Sequence, residues 1–128
     1  MAYTIRWIGQ GGLIFRLGDK ALVVDPYLSH SVSFSSDGFE RLVPIPIQPE
    51  RLKVDLALFS HDHLDHLDPD TVSGMDAPLY GGPESCLRHL RALGKPEERL
   101  ISLGRGDVYR LGEARVMGVP AAHTEDAV

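Results

Sequence analysis

Three of the chain's six histidines fall within the six residues His61-Asp62-His63-Leu64-Asp65-His66. Imidazole nitrogens and carboxylate oxygens are the ligands that zinc, iron and manganese accept. Residues two apart point to opposite sides of a helix but to the same side of an extended segment, so His61 and His63 can grip one ion as the chain leaves a strand. A turn at Leu64 would then aim Asp65 and His66 at a second ion close by, the pairing used in metal-assisted hydrolysis. The bland alternative is a polar surface loop in which histidine is frequent. The cluster sits at the end of an apolar run, where α/β proteins place their sites, and that argues for the metal.

Other chemically capable residues carry weaker signals. Cys86 falls on the apolar stripe of a predicted helix and reads as a packed thiol rather than a nucleophile. His89 reads as solvated, and His30 opens a long loop. Arg41 and Arg51 flank that loop and could pair with an anionic substrate, solvated arginines being the default. Gly9-Gln10-Gly11-Gly12 precedes a strand rather than a helix, so a hairpin fits it better than a phosphate cradle.

The elements that must position these groups are legible in the spacing. Tyr3, Ile5 and Trp7 alternate with Thr4 and Arg6, the period of a strand with one buried face. Leu13, Phe15 and Leu17 resume the period, Gly18-Asp19 turns the chain, and Ala21 to Val24 returns to Asp25-Pro26. Residues 29–52, rich in serine and then proline, form a long loop, either a substrate lid or a solvated excursion. Val54 to Phe59 is a buried strand feeding the histidines. A short helix is expected near Pro69 to Val72, a strand at Leu79-Tyr80, and a helix opened by Pro83 and stopped by Gly94. Leu100 to Leu103 makes another strand. Val108 to Leu111 and Ala114 to Val119 make a hairpin about Gly112-Glu113.

With 128 residues, 43% hydrophobic and 24% charged, the chain is sized and composed as one globular domain. A net charge of −5 argues against nucleic acid or an acidic membrane surface as a partner. No apolar run reaches the roughly 20 residues of a spanning helix, and the N-terminus enters a strand pattern without a secretion signal. One cysteine allows no internal disulfide, so a cytoplasmic location is expected.

The pattern His61-x-His63-x-Asp65-His66 after an apolar strand resembles the signature of the metallo-β-lactamase superfamily. The flanking segments Val24-Asp25-Pro26, Tyr80-Gly81-Gly82-Pro83, Gly94-Lys95-Pro96 and Val119-Pro120-Ala121-Ala122-His123 resemble the branch that holds the L-ascorbate-6-phosphate lactonases. The resemblance implies an αββα sandwich of the α/β class, of which residues 1–128 would supply the N-terminal βα half. It implies His61, His63 and His123 on one divalent ion, zinc or manganese, and Asp65 and His66 on a second. It also gives Asp65 a catalytic role in orienting the attacking hydroxide, and Asp25 a role behind the ligands, fixing their orientation. Read alone, His123 is a surface histidine and Asp25 a turn residue before proline.

The implied activity is hydrolysis of an ester, lactone or phosphoester in a small cytosolic substrate. The parent pattern continues beyond His123 with a bridging acid and a last histidine, and Glu125 or Asp126 is poorly placed to replace the bridge. The alternatives are therefore a non-catalytic metal-binding fragment or an interaction module. A homo-oligomer, or a missing C-terminal half, is the expected partner.

Overall fold

The structure is a computed structural model and describes residues 2–35 and 38–123. Its centre is a six-stranded mixed sheet in the order β1 (Tyr3–Gly9), β2 (Gly12–Leu17), β3 (Lys20–Val24), β4 (Leu56–Leu58), β5 (Leu79–Gly82), β6 (Leu100–Ser102). The first three strands form an antiparallel meander, because the turns at Gln10-Gly11 and Gly18-Asp19 are too short for anything else. From β3 onward all pairings are parallel, each joined by a longer crossover. Parallel strands buried on both faces are read as continuous apolar runs. Leu56-Ala57-Leu58 is such a run, fully buried.

All three parallel crossovers carry helices, the two longer helices lying between β4 and β6. Helix α2 (Pro69–Gly74) starts at Asp68, whose carboxylate accepts from the backbone N–H of Asp70 and of Thr71, with proline at the first helical position. Helix α3 (Glu84–Ala92) buries Cys86, Leu87 and Leu90 along one stripe. Pro83 is its cap rather than its first helical residue. The long loop holds a five-residue helix, α1 (Ser31–Ser35), and a 3-10 turn at Pro49–Arg51, neither anticipated from sequence. A further 3-10 turn spans Glu97–Arg99.

Alternation sorts the sheet's side chains into two cores. Ile8, Ile14, Val23, Ala57, Phe59 and Tyr80 face the helices with Val72, Leu87 and Leu90. On the opposite face, Leu22, Leu56 and Leu58 pack with Leu111 and Ala114 of a separate hairpin, β7 (Val108–Leu111) and β8 (Ala114–Met117). The described chain is thus a helix layer, a sheet and a partial second sheet. One expectation fails: the face bearing Tyr3, Ile5 and Trp7 is not buried, because the core under the hairpin reaches β2 but not β1.

Candidate metal centre

The parallel strands deliver the site at their C-terminal ends. β3 leads into Asp25 and β4 leads through Phe59 to Ser60 and His61, with the Asp25 N–H donating to the Leu58 carbonyl at 2.9 Å. The histidine segment then turns as expected: the N–H groups of His66 and Leu67 both donate to the His63 carbonyl, at 2.9 and 2.8 Å. His123 arrives from the hairpin side.

Three imidazoles form a triangle. The ring centroids lie 4.7 Å apart for His61–His63, 4.8 Å for His61–His123 and 4.9 Å for His63–His123, each pair edge to face. One ligand nitrogen from each lies within 4.8 Å of the others. His61 is buried, and its Nε2 has no hydrogen-bond partner among the described residues. A buried nitrogen without a partner is costly unless something else satisfies it.

Its tautomer can be worked out. Ser60 Oγ lies 2.5 Å from Asp25 Oδ2, and an ionised carboxylate only accepts, so the hydroxyl donates there. With its single proton spent, Ser60 Oγ must accept from Nδ1 of His61, 2.8 Å away. Nδ1 therefore carries the proton, and Nε2 presents a bare lone pair to the cluster. The same reasoning applies to His66, whose Nδ1 donates to Asp25 Oδ2 at 2.8 Å and whose Nε2 is left as a ligand, 3.7 Å from Asp65 Oδ1. Asp25 also accepts from the Ser60 N–H at 2.7 Å, so one buried carboxylate orients two imidazoles.

The site therefore fits a divalent ion by its donor chemistry. His61, His63 and His123 form one candidate set; Asp25, His61 and His66 also converge, but the hydrogen bonds among them make this group the support behind the first set. Asp65 belongs to neither set and stands beside His66 Nε2, half-buried. Burial, together with the neighbouring His66 charge, lowers the His61 pKa from 6.5, so this imidazole stays neutral and able to ligate into mildly acidic solution.

Two contacts set the path of the chain here. Gly11 lies against the His66 ring, where a Cβ would stand 3.0 Å from Cε1. Gly118 exchanges hydrogen bonds with the Gly104–Asp107 turn, its N–H donating to Asp107 and its carbonyl accepting from Gly106. A Cβ at Gly118 would collide with the Gly104 carbonyl oxygen, so the approach to His123 requires glycine there.

Other expected groups fall elsewhere. Cys86 is fully buried, and burial with the nearby Asp62 and Asp25 charges pushes its thiol up to about 12. His30 and Arg51 are exposed. His89 is exposed but not merely solvated, since its Nε2 lies 3.2 Å from Asp62 Oδ2. Arg41 departs from the solvated default: Nη1 donates to the Tyr27 carbonyl, Nε donates to Val43, and the guanidinium lies over the Tyr27 ring. Glu125 and Asp126 lie outside the described residues. Ser60 escaped the sequence reading; its only signal was a hydroxyl residue immediately before the paired histidines.

A mixed sheet with clustered imidazoles at its C-terminal strand ends defines a metallo-hydrolase type of architecture. The family model for the beta-lactamase superfamily domain matches residues 4–128, and the chain belongs to that family. It is 35% identical over 125 residues to an uncharacterised protein of Mycobacterium tuberculosis, covering 94% of this chain and 34% of that protein. It is 29% identical over 123 residues to a UPF0173 metal-dependent hydrolase of Pyrobaculum arsenaticum, covering 94% of this chain and 50% of the relative. The fold matches the crystal structure of an isothiocyanate hydrolase from Delia radicum gut bacteria with a TM-score of 0.67, at 21% identity over 87% of this chain and 44% of that one. The chain spans about a third of the mycobacterial relative and half of the archaeal one.

Proposed function

We propose that the chain carries the ligand-bearing part of a metal-dependent hydrolase acting on an ester, lactone or phosphoester of a small cytosolic molecule. The observation that carries this reading is the buried, unpartnered Nε2 of His61 facing His63 and His123. Three histidines with an open fourth position are a common catalytic zinc set, which puts zinc ahead of manganese. The ion, when bound, supplies Lewis acidity toward the scissile group and toward a water molecule.

The chain's own groups do the rest. Ser60 and Asp25 hold the His61 and His66 rings in the ligating tautomer. Asp65, whose carboxylate stands 3.7 Å from His66 Nε2, is the group that would orient the attacking water. The lone buried Cys86 is in keeping with a reducing cytoplasm. No helix among the described residues is long and apolar enough to cross a membrane.

Elemental analysis after chelator-free purification should find stoichiometric zinc or manganese. Hydrolysis of generic phosphodiester and lactone substrates should be lost in His63→Ala. Metal-free protein that takes up no ion would overturn the reading. Full metal occupancy without turnover would instead favour a metal-binding fragment, a reading supported by the exposure of His63 and His123 and by the chain's match to only half of the archaeal relative.

A further inference from the structure

Arg41 is a cation without a counter-ion among the described residues. Its Nε and Nη1 donate to the backbone carbonyls of Val43 and Tyr27, and its Nη2 is buried with no hydrogen-bond partner. Neutral carbonyls satisfy two arms of the guanidinium and leave its charge unbalanced. Holding such a charge half-buried costs desolvation that nothing on the chain offsets. The group is also held still. Its Cζ lies 5.0 Å from the centroid of the Tyr27 ring, and a Cβ at Gly9 would stand 2.7 Å from Nη2. Gly9, at a φ of 104°, is thus what admits the guanidinium.

Arg41 lines a cavity of about 220 Å³ whose wall also holds Gln10, Tyr27, Phe39 and Asp65. Asp65 is the residue 3.7 Å from His66 Nε2, so the cavity adjoins the metal centre. Sites that enclose a whole small ligand run to roughly 300–1,000 Å³, so this one suits one end of a molecule whose other end reaches the histidines. Gln10 is a second signal. Its φ is 50°, in the left-handed region that glycine occupies at least cost, and it stands between Gly9 and Gly11. Trp7 Nε1 donates to its carbonyl at 2.8 Å and fixes the turn. A long carboxamide kept in a strained turn that glycine would serve marks a side chain with a use. Here it offers a neutral N–H donor on the same wall as the guanidinium.

We propose that this cavity is the subsite for an anionic end of the substrate, a carboxylate or a phosphate, with Arg41 as its charge partner and Gln10 as a further donor. The subsite rests on the hydrolase reading and narrows it: the substrate carries a negative charge away from the bond that breaks. An anion arriving there meets a charge already placed and already stripped of part of its water, which lowers the cost of binding. The carboxylates on the same wall leave room for it, since Asp65 belongs with His66 and the ion, and Glu40 is exposed to solvent that screens it.

Nitrogen-15 NMR of the chelator-treated chain at about pH 8 keeps both the metal and protonated histidines out of the test. Inorganic phosphate should shift the Arg41 side-chain N–H and the Gln10 carboxamide along a saturable curve, and chloride at equal ionic strength should not. Acetate in place of phosphate tests the carboxylate; whichever saturates names the anion. Saturation by neither, or only at other residues, would overturn the subsite. The metal-loaded chain is then compared on nitrophenyl esters that end in a carboxylate or in the neutral carboxamide. Arg41→Gln should cut the kcat/KM preference for the anionic ester roughly 10- to 100-fold, through KM, and Arg41→Lys should restore most of it. A preference that both variants leave as in the unmodified chain would overturn the proposal and reduce Arg41 to a clamp on the Tyr27 and Val43 carbonyls. Saturable anion binding in a chain that takes up no metal would uphold the subsite while the hydrolase reading fell.

Discussion

Asp25 adopts a φ of 49°, a left-handed conformation that few side chains other than asparagine and aspartate accept readily. It must also be a carboxylate, since it accepts from Ser60 and from His66 with no proton of its own to offer. Asp25→Asn keeps the backbone but replaces one acceptor oxygen by a donor, so the imidazole tautomers are no longer enforced. Zinc affinity by calorimetry should fall roughly 10- to 100-fold, with the melting temperature of the metal-free protein little changed. His61 gives a pH prediction. Its folded pKa lies below the unfolded value of 6.5, so the unfolded chain binds the proton more readily between the two. Stability of the chelator-treated protein is then full at neutral pH, declines as pH falls below 6.5, and stops declining once pH passes below the folded pKa. Thermal melts across that window should show the decline, and His61→Gln should flatten it. Of these residues, His61, His63 and His66 could be found from type and spacing, whereas Asp25 and His123 came only through the family resemblance. Ser60 could not, because one hydroxyl among many carries no periodicity.

At the level of the elements, the loop between β3 and β4 is tied down by one buried side chain. Asp68 caps α2 and also accepts from Ser29 Oγ at 2.6 Å, Ser31 Oγ at 2.7 Å and Thr71 Oγ1 at 2.5 Å. Leu28 N–H donates to Thr71 Oγ1 in turn. The loop start is thereby joined to the helix that follows the histidine turn. Asp68→Ala removes the cap and leaves buried hydroxyls without an acceptor, a loss of about 3 kcal/mol from the two effects together, measurable by urea denaturation. This network explains why residues 29–52 were only partly legible. The serines there read as loop composition, yet Ser29 and Ser31 are partners of a residue some forty positions away, and such pairings leave no local trace. The strands and α3 were legible because alternation, the 3.6-residue stripe and the turn glycines are local signals. The five-residue helix α1 buries no residue, so it has no apolar stripe to announce it.

For the molecule as a whole, Cys86 is a built-in reporter of opening. The thiol sits in the helix-side core and is held protonated, so a disulfide reagent should leave the native protein unlabelled and react only on global unfolding. Labelling rates that track the denaturation curve would check this; fast labelling without denaturant would place the thiol outside a closed core. The class of fold could be read from the order of strands and helices and from the resemblance carried by the histidine motif. What could not be read was that the Tyr3-Ile5-Trp7 face stays open. Alternation records that a side of a strand is apolar, and the identity of what covers it lies in tertiary structure.

The crossing of residues 104 and 118 bears on how such a protein can lose its chemistry. His123 follows Gly118 by five positions, and the route between them is set where two backbones touch with no room for a methyl group. A single-codon change to alanine at 118 would redirect that route while leaving every imidazole and carboxylate intact. Inactive descendants should therefore be sought not only among chains with altered ligands but among those that have gained one carbon at a site with no side chain to offer.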